Sequence, residues 1–256
     1  MLPPPPRPTA AESAFFLDVD GTLVEIAPEP GAVRVPPELI RTLGELWDAT
    51  SGALALVSGR PLAQIDDLFA PLHLPAAGLH GLERRAADGA VVRAEPRPSA
   101  VEKARQRLTD FAAAHRGVLL EDKGLTLALH YRAAPDQAAA AAAAAAEAVA
   151  LSDDALALLE GKMVFELKPP NVNKGIAIKA FMDEEPFRGR RPVFAGDDVT
   201  DVAGFAAVNE LGGLSLRVVA GNERPSRAEF GLPDVPALHA WLEDIVRADA
   251  ATPPRP

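Results

Sequence analysis

Short runs of wholly apolar residues alternate along this chain with longer stretches in which apolar residues recur every three or four positions. Ala14-Phe15-Phe16-Leu17, Ala53-Leu54-Ala55-Leu56-Val57 and Val193-Phe194-Ala195 are runs of the first kind. Runs of this length bounded by turn residues read as strands buried on both faces, and the three-to-four spacing reads as amphipathic helix. The pattern predicts a strand at 14–18, a helix opening at Pro36-Pro37, a strand at 53–57, a helix from Pro61 and a strand at 76–79. Strands that alternate with helices in this way build a parallel sheet.

After Gly81 the rhythm changes. Short strands are predicted around 90–94, 118–122, 125–132 and 162–168, with helices at 99–115 and 135–150, the latter carrying the alanine run Ala138 to Ala146. Alternation resumes from Asn173, with a helix through 182, a strand at 192–196, a helix at 200–209, a strand at 214–219 and a last helix near 236–248. An α/β core at 12–84 and 169–250 is therefore expected, interrupted by an α+β module at 85–168 that acts as a cap. The proline-rich ends, 1–11 and 251–256, are expected to be flexible tails.

The 256 residues suffice for a real core, and the absence of cysteine excludes disulfides, thiol catalysis and cysteine metal sites. A reducing compartment follows, and the cytoplasm is the expected location. A net charge of −10 argues against nonspecific binding to nucleic acid or anionic membranes. No segment is long and apolar enough to span a bilayer, and the start lacks the apolar stretch of a signal peptide.

Against this background Asp18 and Asp20 stand out. They sit two positions apart where the run Phe15-Phe16-Leu17 ends at Gly21. A buried unpaired carboxylate costs several kcal/mol or takes up a proton, so acids here require a cation or a chemical task. Ligands of parallel α/β sheets bind beyond the carboxyl ends of strands, which is where these two acids fall. An EF-hand does not fit, because Gly comes fourth after a strand rather than sixth after a helix.

Three further signals fall where core strands end or core helices begin: Ser58-Gly59-Arg60, Asn173-Lys174-Gly175, and Gly196-Asp197-Asp198-Val199-Thr200-Asp201. Singly, each has an ordinary explanation as a turn, a solvated lysine or a helix cap. Gathered at one sheet edge, they supply the carboxylates, hydroxyl and ammonium that phosphoryl transfer needs.

The ensemble resembles the haloacid dehalogenase superfamily of phosphotransferases. The resemblance implies a haloacid dehalogenase-like Rossmannoid core with an inserted cap, and Mg²⁺ as cofactor. It further implies Asp18 as the nucleophile that forms an aspartyl-phosphate, and Asp20 as the acid that protonates the leaving oxygen and then activates water. Metal ligands would be the Asp18 carboxylate, the Asp20 backbone carbonyl and Asp197, with Asp198 behind them and Ser58 and Lys174 on the phosphate. The related ion pumps resemble Asp-Lys-Thr-Gly at this point and are excluded by Asp20.

Within that superfamily Ala77 to Glu83, Glu121 to Arg132 and Gly161 to Pro169 look like the trehalose-6-phosphate phosphatase family. That implies a small-molecule sugar phosphate, trehalose 6-phosphate, as the substrate, and the protein is expected to be a monomer. Alternation supports a polar cap-sheet face independently. Leu125, Leu127, Leu129 and Tyr131 share one face of the strand 125–132, with Thr126, His130 and Arg132 on the other. In 162–168, Met163, Phe165 and Leu167 point one way and Lys162, Glu166 and Lys168 the other. A disaccharide is nearly all hydroxyls, and Lys123, His130, Glu166 and Lys168 are the expected cap contacts, with Val19, Arg60, His80, Gly81 and Glu83 from the core.

One departure concerns Val202, where the family usually shows an acid after Thr-Asp. Asp201 is expected either to substitute in part for that acid or to cap the following helix. Rival readings are a sucrose-phosphate or hexose-phosphate hydrolase on the same core, and a phosphosugar-binding regulator that lost catalysis.

Overall fold

The computed structural model describes residues 2–27, 33–93, 98–197, 199–218 and 227–251. They divide into two compact units, Met1–Val92 with Asn173–Pro256, and Arg93–Val172.

The larger unit is built on an eight-stranded sheet. Its strands are β1 (Ser13–Leu17), β2 (Leu54–Val57), β3 (Ala76–Gly78), β4 (Glu83–Arg85), β5 (Val91–Arg93), β10 (Arg191–Gly196), β11 (Leu214–Val218) and β12 (Phe230–Leu232), in the order β12-β11-β10-β1-β2-β3-β4-β5. Neighbours from β12 to β3 are parallel, and β4 pairs antiparallel with β3.

The apolar runs form central strands because both faces of the sheet are covered. Phe15 and Leu17 of β1 pack with the buried leucines of α1 (Pro37–Ala49) and α7 (Val235–Ala250) and with α2 (Leu62–Phe69). Ala14 and Phe16, pointing the other way, pack with Ile178 and Phe181 of α5 (Lys174–Met182) and Phe205 and Val208 of α6 (Val202–Glu210). Burying each such side chain contributes about 1.5–3 kcal/mol, so the two faces hold the strand more firmly than any surface pair could. Leu17 registers against both Ala195 of β10 and Leu56 of β2. The carboxyl ends of these three strands therefore lie side by side, and Asp18, Ser58 and Asp197 follow them directly.

The smaller unit pairs a four-stranded antiparallel sheet, ordered β6 (Leu119–Asp122), β7 (Leu127–His130), β9 (Val164–Lys168), β8 (Ala157–Gly161), with α3 (Pro98–Ala114) and α4 (Ala138–Ala150). Leu127, Leu129, Phe165 and Leu167 face the helices. The alanine run is helical because Ala141, Ala144, Ala145 and Ala148 form one buried stripe at helical spacing.

Several elements differ from the sequence pattern. The strand expected at 90–94 belongs to the large sheet and not to the inserted module: β4 and β5 form a hairpin closed by Ala86 N–H to Ala90 O at 2.9 Å. β4, β8 and β12 have no counterpart in the sequence pattern. Glu83-Arg84-Arg85 has no apolar alternation, and β12 holds only three residues. Lys162 falls in the turn between β8 and β9, next to Met163 with φ 64°.

Candidate active site

Asp18 leaves the end of β1 tied to the neighbouring strand through its N–H to Ala195 O, 3.0 Å. The turn that follows closes on Val19, whose carbonyl accepts from Leu23 and Val24 at 2.9 and 3.0 Å, while the Val19 side chain is fully buried. Gly21 makes this turn possible. Its φ is +82°, and a Cβ there would lie 2.2 Å from Asp197 Oδ2, so any larger residue would collide with the acid arriving from β10.

Lys174, the first residue of α5, runs into the same space and is almost wholly buried. Its Nζ donates to Asp18 Oδ1 and to Asp201 Oδ1, each at 2.6 Å. Thr22 Oγ1 donates to the other Asp18 oxygen at 3.1 Å, and Asp197 N–H donates to Asp201 Oδ2 at 2.9 Å. Asp201 opens α6 but makes no side-chain cap there, so its carboxylate serves the acidic cluster and not the helix end. Asp198 lies outside the described residues.

Burial dominates the electrostatics of the pair. It pushes Asp18 up to about 7, against the pull of Lys174 and with repulsion from Asp201 and Asp20 adding to the rise. Burial alone would lower Lys174, but Asp18 and Asp201 together hold it above its ordinary range, so it stays an ammonium.

One carboxylate oxygen from each of Asp18, Asp197 and Asp201 lies within 4.8 Å of the others. Three carboxylates against one ammonium leave an excess of negative charge, and an all-oxygen donor set suits a hard divalent cation such as Mg²⁺.

Asp20 is held differently. Arg60 grips it with both arms, Nε to Oδ2 at 2.7 Å and Nη2 to Oδ1 at 2.6 Å. Arg60 N–H donates to Ser58 Oγ at 3.1 Å. His80 is buried, with its N–H on Ser58 O at 2.9 Å, and Gly81 completes its turn at φ +109°. Glu83 Oε2 accepts the Leu62 N–H at 3.0 Å. Asp18, Asp20, Ser58, Arg60, His80, Gly81, Glu83, Lys174, Asp197 and Asp201 thus all lie in the larger unit at or beside strand carboxyl ends.

The other expected contacts form a second group in the smaller unit. The register Glu121↔Ala128↔Glu166 puts Glu121 and Glu166 on the face opposite the helices. Lys123 Nζ donates to Glu166 Oε1 at 3.2 Å and stands 3.8 Å from Glu121 Oε2, which also meets His130 Nε2 at 2.9 Å. Lys168 donates to Val172 O, and burial lowers its pKa against the opposing pull of Glu166. Glu121 was not among the expected residues, although it sits at the hub of this group. Burial alone would raise it, but the His130 hydrogen bond and Lys123 bring it below its ordinary range. Leu119-Leu120-Glu121-Asp122 shows no apolar–polar alternation, and the available signal was its place two residues before Lys123.

Residues 16–236 match the family model for trehalose-phosphatase. The chain belongs to the trehalose-phosphatase family. It is 45% identical over 92% of its length to the probable trehalose-phosphate phosphatase of Sinorhizobium fredii, covering 86% of that protein. It is 43% identical over 93% of its length to the trehalose-6-phosphate phosphatase of Escherichia coli, covering 88%. Among solved structures, that of a trehalose-6-phosphate phosphatase related protein superposes with a TM-score of 0.78 at 26% identity, over 93% of this chain and 99% of that one. The fold is that of the haloacid dehalogenase phosphatases, one of which aligns at TM-score 0.62 and 15% identity over 96% of this chain and 98% of its own. Among the described residues of this trehalose-phosphatase family member, no helix is long and apolar enough to cross a membrane.

Proposed function

We propose that this enzyme hydrolyses trehalose 6-phosphate to trehalose and phosphate through an aspartyl-phosphate on Asp18. The observation that carries the mechanism is the buried Lys174–Asp18 pair at the end of β1, in a chain of the trehalose-phosphatase family.

Asp18 attacks phosphorus in line with the sugar oxygen, forming an Asp18–phosphorus bond as the phosphorus–sugar oxygen bond breaks. Asp20 gives that oxygen its proton, then takes one from the water that releases phosphate from Asp18. Lys174 and the Ser58 hydroxyl neutralise and orient the phosphate oxygens. Asp18 and Asp197 would hold Mg²⁺ together with the Asp20 backbone carbonyl, and the position of Asp201 adds it to that group. When bound, the cation supplies charge stabilisation and keeps Asp18 ionised. The sugar hydroxyls are assigned to the polar face of the small sheet, at Glu121, Lys123, His130, Glu166 and Lys168. Residues 93–172 then act as the specificity-giving cap of a cytoplasmic, monomeric enzyme.

The test is phosphate release from trehalose 6-phosphate, sucrose 6-phosphate and glucose 6-phosphate, each with Mg²⁺ and with EDTA. Metal-dependent release confined to trehalose 6-phosphate is expected. Release from all three would remove the specificity assigned to the small sheet, and release from none would leave a phosphosugar-binding protein.

A further inference from the structure

Arg60 can hold Asp20 only if its own backbone is fixed, and in the loop 58–62 only Leu62, at the far end, packs into the hydrophobic core. It is fixed by the loop beside it. Ser58 N–H donates to Ala77 O at 2.9 Å, Leu79 N–H to Arg60 O at 3.0 Å, and His80 N–H to Ser58 O at 2.9 Å. The two loops touch so closely that a Cβ on Gly78 would lie 2.8 Å from both Arg60 O and Leu62 N. To reach this register Leu79 and His80 take left-handed backbone angles, φ 50° and 59°. Strain of this kind persists where surrounding contacts over-determine it.

Glu83 completes the arrangement. The helix α2, which begins two residues after Arg60, has Pro61 at its cap position with no side-chain hydrogen bond, and its first turn contains no acid. The missing acceptor is supplied from β4, where Glu83 Oε2 receives the Leu62 N–H at 3.0 Å. Arg85, on the same face of β4, holds Asp66 further along α2 with two bonds of 2.8 and 2.6 Å. One short strand therefore anchors α2 at its first residue and in its body.

We propose that Glu83 is a positioning residue and not a sugar contact: by fixing the first turn of α2 it sets the Arg60 backbone where the guanidinium meets Asp20. The inference rests on the acid and base role given to Asp20 above.

The test compares kcat and KM on trehalose 6-phosphate and on p-nitrophenyl phosphate, with thermal unfolding, for Glu83→Ala, Glu83→Gln, Glu83→Asp, Arg60→Ala and the Arg60→Ala/Glu83→Ala pair. Glu83→Ala is expected to lower kcat roughly 10- to 100-fold on both esters, the usual scale for a small misplacement of a reacting group. Glu83→Gln, which keeps the acceptor and the reach, should recover most of it. Glu83→Asp, charged but one methylene short, should not, and it replaces the Ala variant in the series if that one does not fold. The double variant should lose no more than Arg60→Ala alone.

A loss confined to KM for trehalose 6-phosphate would make Glu83 a ligand contact. Losses that multiply in the double variant, or a lowered melting temperature with kcat intact, would reduce it to an independent site or a helix cap. A wild-type protein inactive on both esters would instead overturn the phosphatase reading, and so is distinct from failure of the Glu83 role.

Discussion

Lys174 Nζ lies 2.6 Å from Asp18 Oδ1, with side-chain exposures of 2% and 6%. Neither group has water to fall back on. Each is the other's main compensation for burial, with Asp201 as the third member.

Lys174→Met should therefore destabilise the fold by about 3–5 kcal/mol at pH 8, the usual cost of removing one partner of a buried ion pair. The carboxyls left behind would repel one another and bind protons more readily when folded than unfolded. The deficit should shrink as pH falls toward 5, which chemical denaturation at the two pH values measures. An equal deficit at both would mean that the carboxylates are not coupled through Lys174.

The wild type carries a weaker form of the same dependence. Asp18 is raised by burial to about 7 when folded, against about 4 for an unfolded aspartate, so the folded state binds the extra proton between these values. The Asp18 contribution is then fully present below pH 4 and lost as pH rises through 7. Without divalent cation, the difference in stability between wild type and Asp18→Asn should shift against the wild type from pH 5 to pH 8. Mg²⁺, by favouring the ionised carboxylate, should reduce that shift.

Asp18→Asn should also abolish phosphate release while the protein remains folded, because an amide is not a nucleophile toward phosphorus. A loss of three orders of magnitude or more is on the order expected for a nucleophile. Full activity in this variant would sink the aspartyl-phosphate mechanism.

How much of this was legible beforehand follows from which physics each residue obeys. The central strands were readable because both faces of a parallel sheet are covered, which forces continuous apolar runs such as Ala14 to Leu17. β4 was not, since its Glu83 and Arg85 point at partners on α2 that no local pattern reveals. The acids at the end of β1 could be singled out because burial makes them costly. Asp201 could be placed only as a substitute acid or a cap, because its meeting with Lys174 spans 27 positions and depends on how α5 and α6 pack.

Gly21→Ala gives a steric test of the same cluster. The added Cβ meets Asp197 Oδ2 at 2.2 Å in a backbone conformation that costs an L-residue about 1–2 kcal/mol. The variant should fold with a modestly lowered melting temperature but lose most of its activity, because Asp197 must move from the acidic group. Its Mg²⁺ requirement, read as the concentration for half-maximal phosphate release, should rise. An unchanged requirement would separate Asp197 from the cation.

The final prediction concerns substrate choice. Glu166 is ion-paired with Lys123 at 3.2 Å on the polar face of the small sheet, in a different unit from every residue given a chemical role at the phosphate. Contacts with the non-reacting sugar raise turnover only if their energy is realised in the transition state, and a small ester cannot make them. Hydrogen bonds to charged groups are worth about 1.5–3 kcal/mol, so Glu166→Ala should cost roughly 10- to 100-fold in kcat/KM on trehalose 6-phosphate. On p-nitrophenyl phosphate the same variant should stay within about two- to threefold of wild type, within the spread of an indirect effect. Lys123→Ala should follow the same split, and the double variant should lose less than the product of the singles because the two groups support each other. Equal losses on both esters would move Glu166 from recognising the sugar to holding the small sheet together.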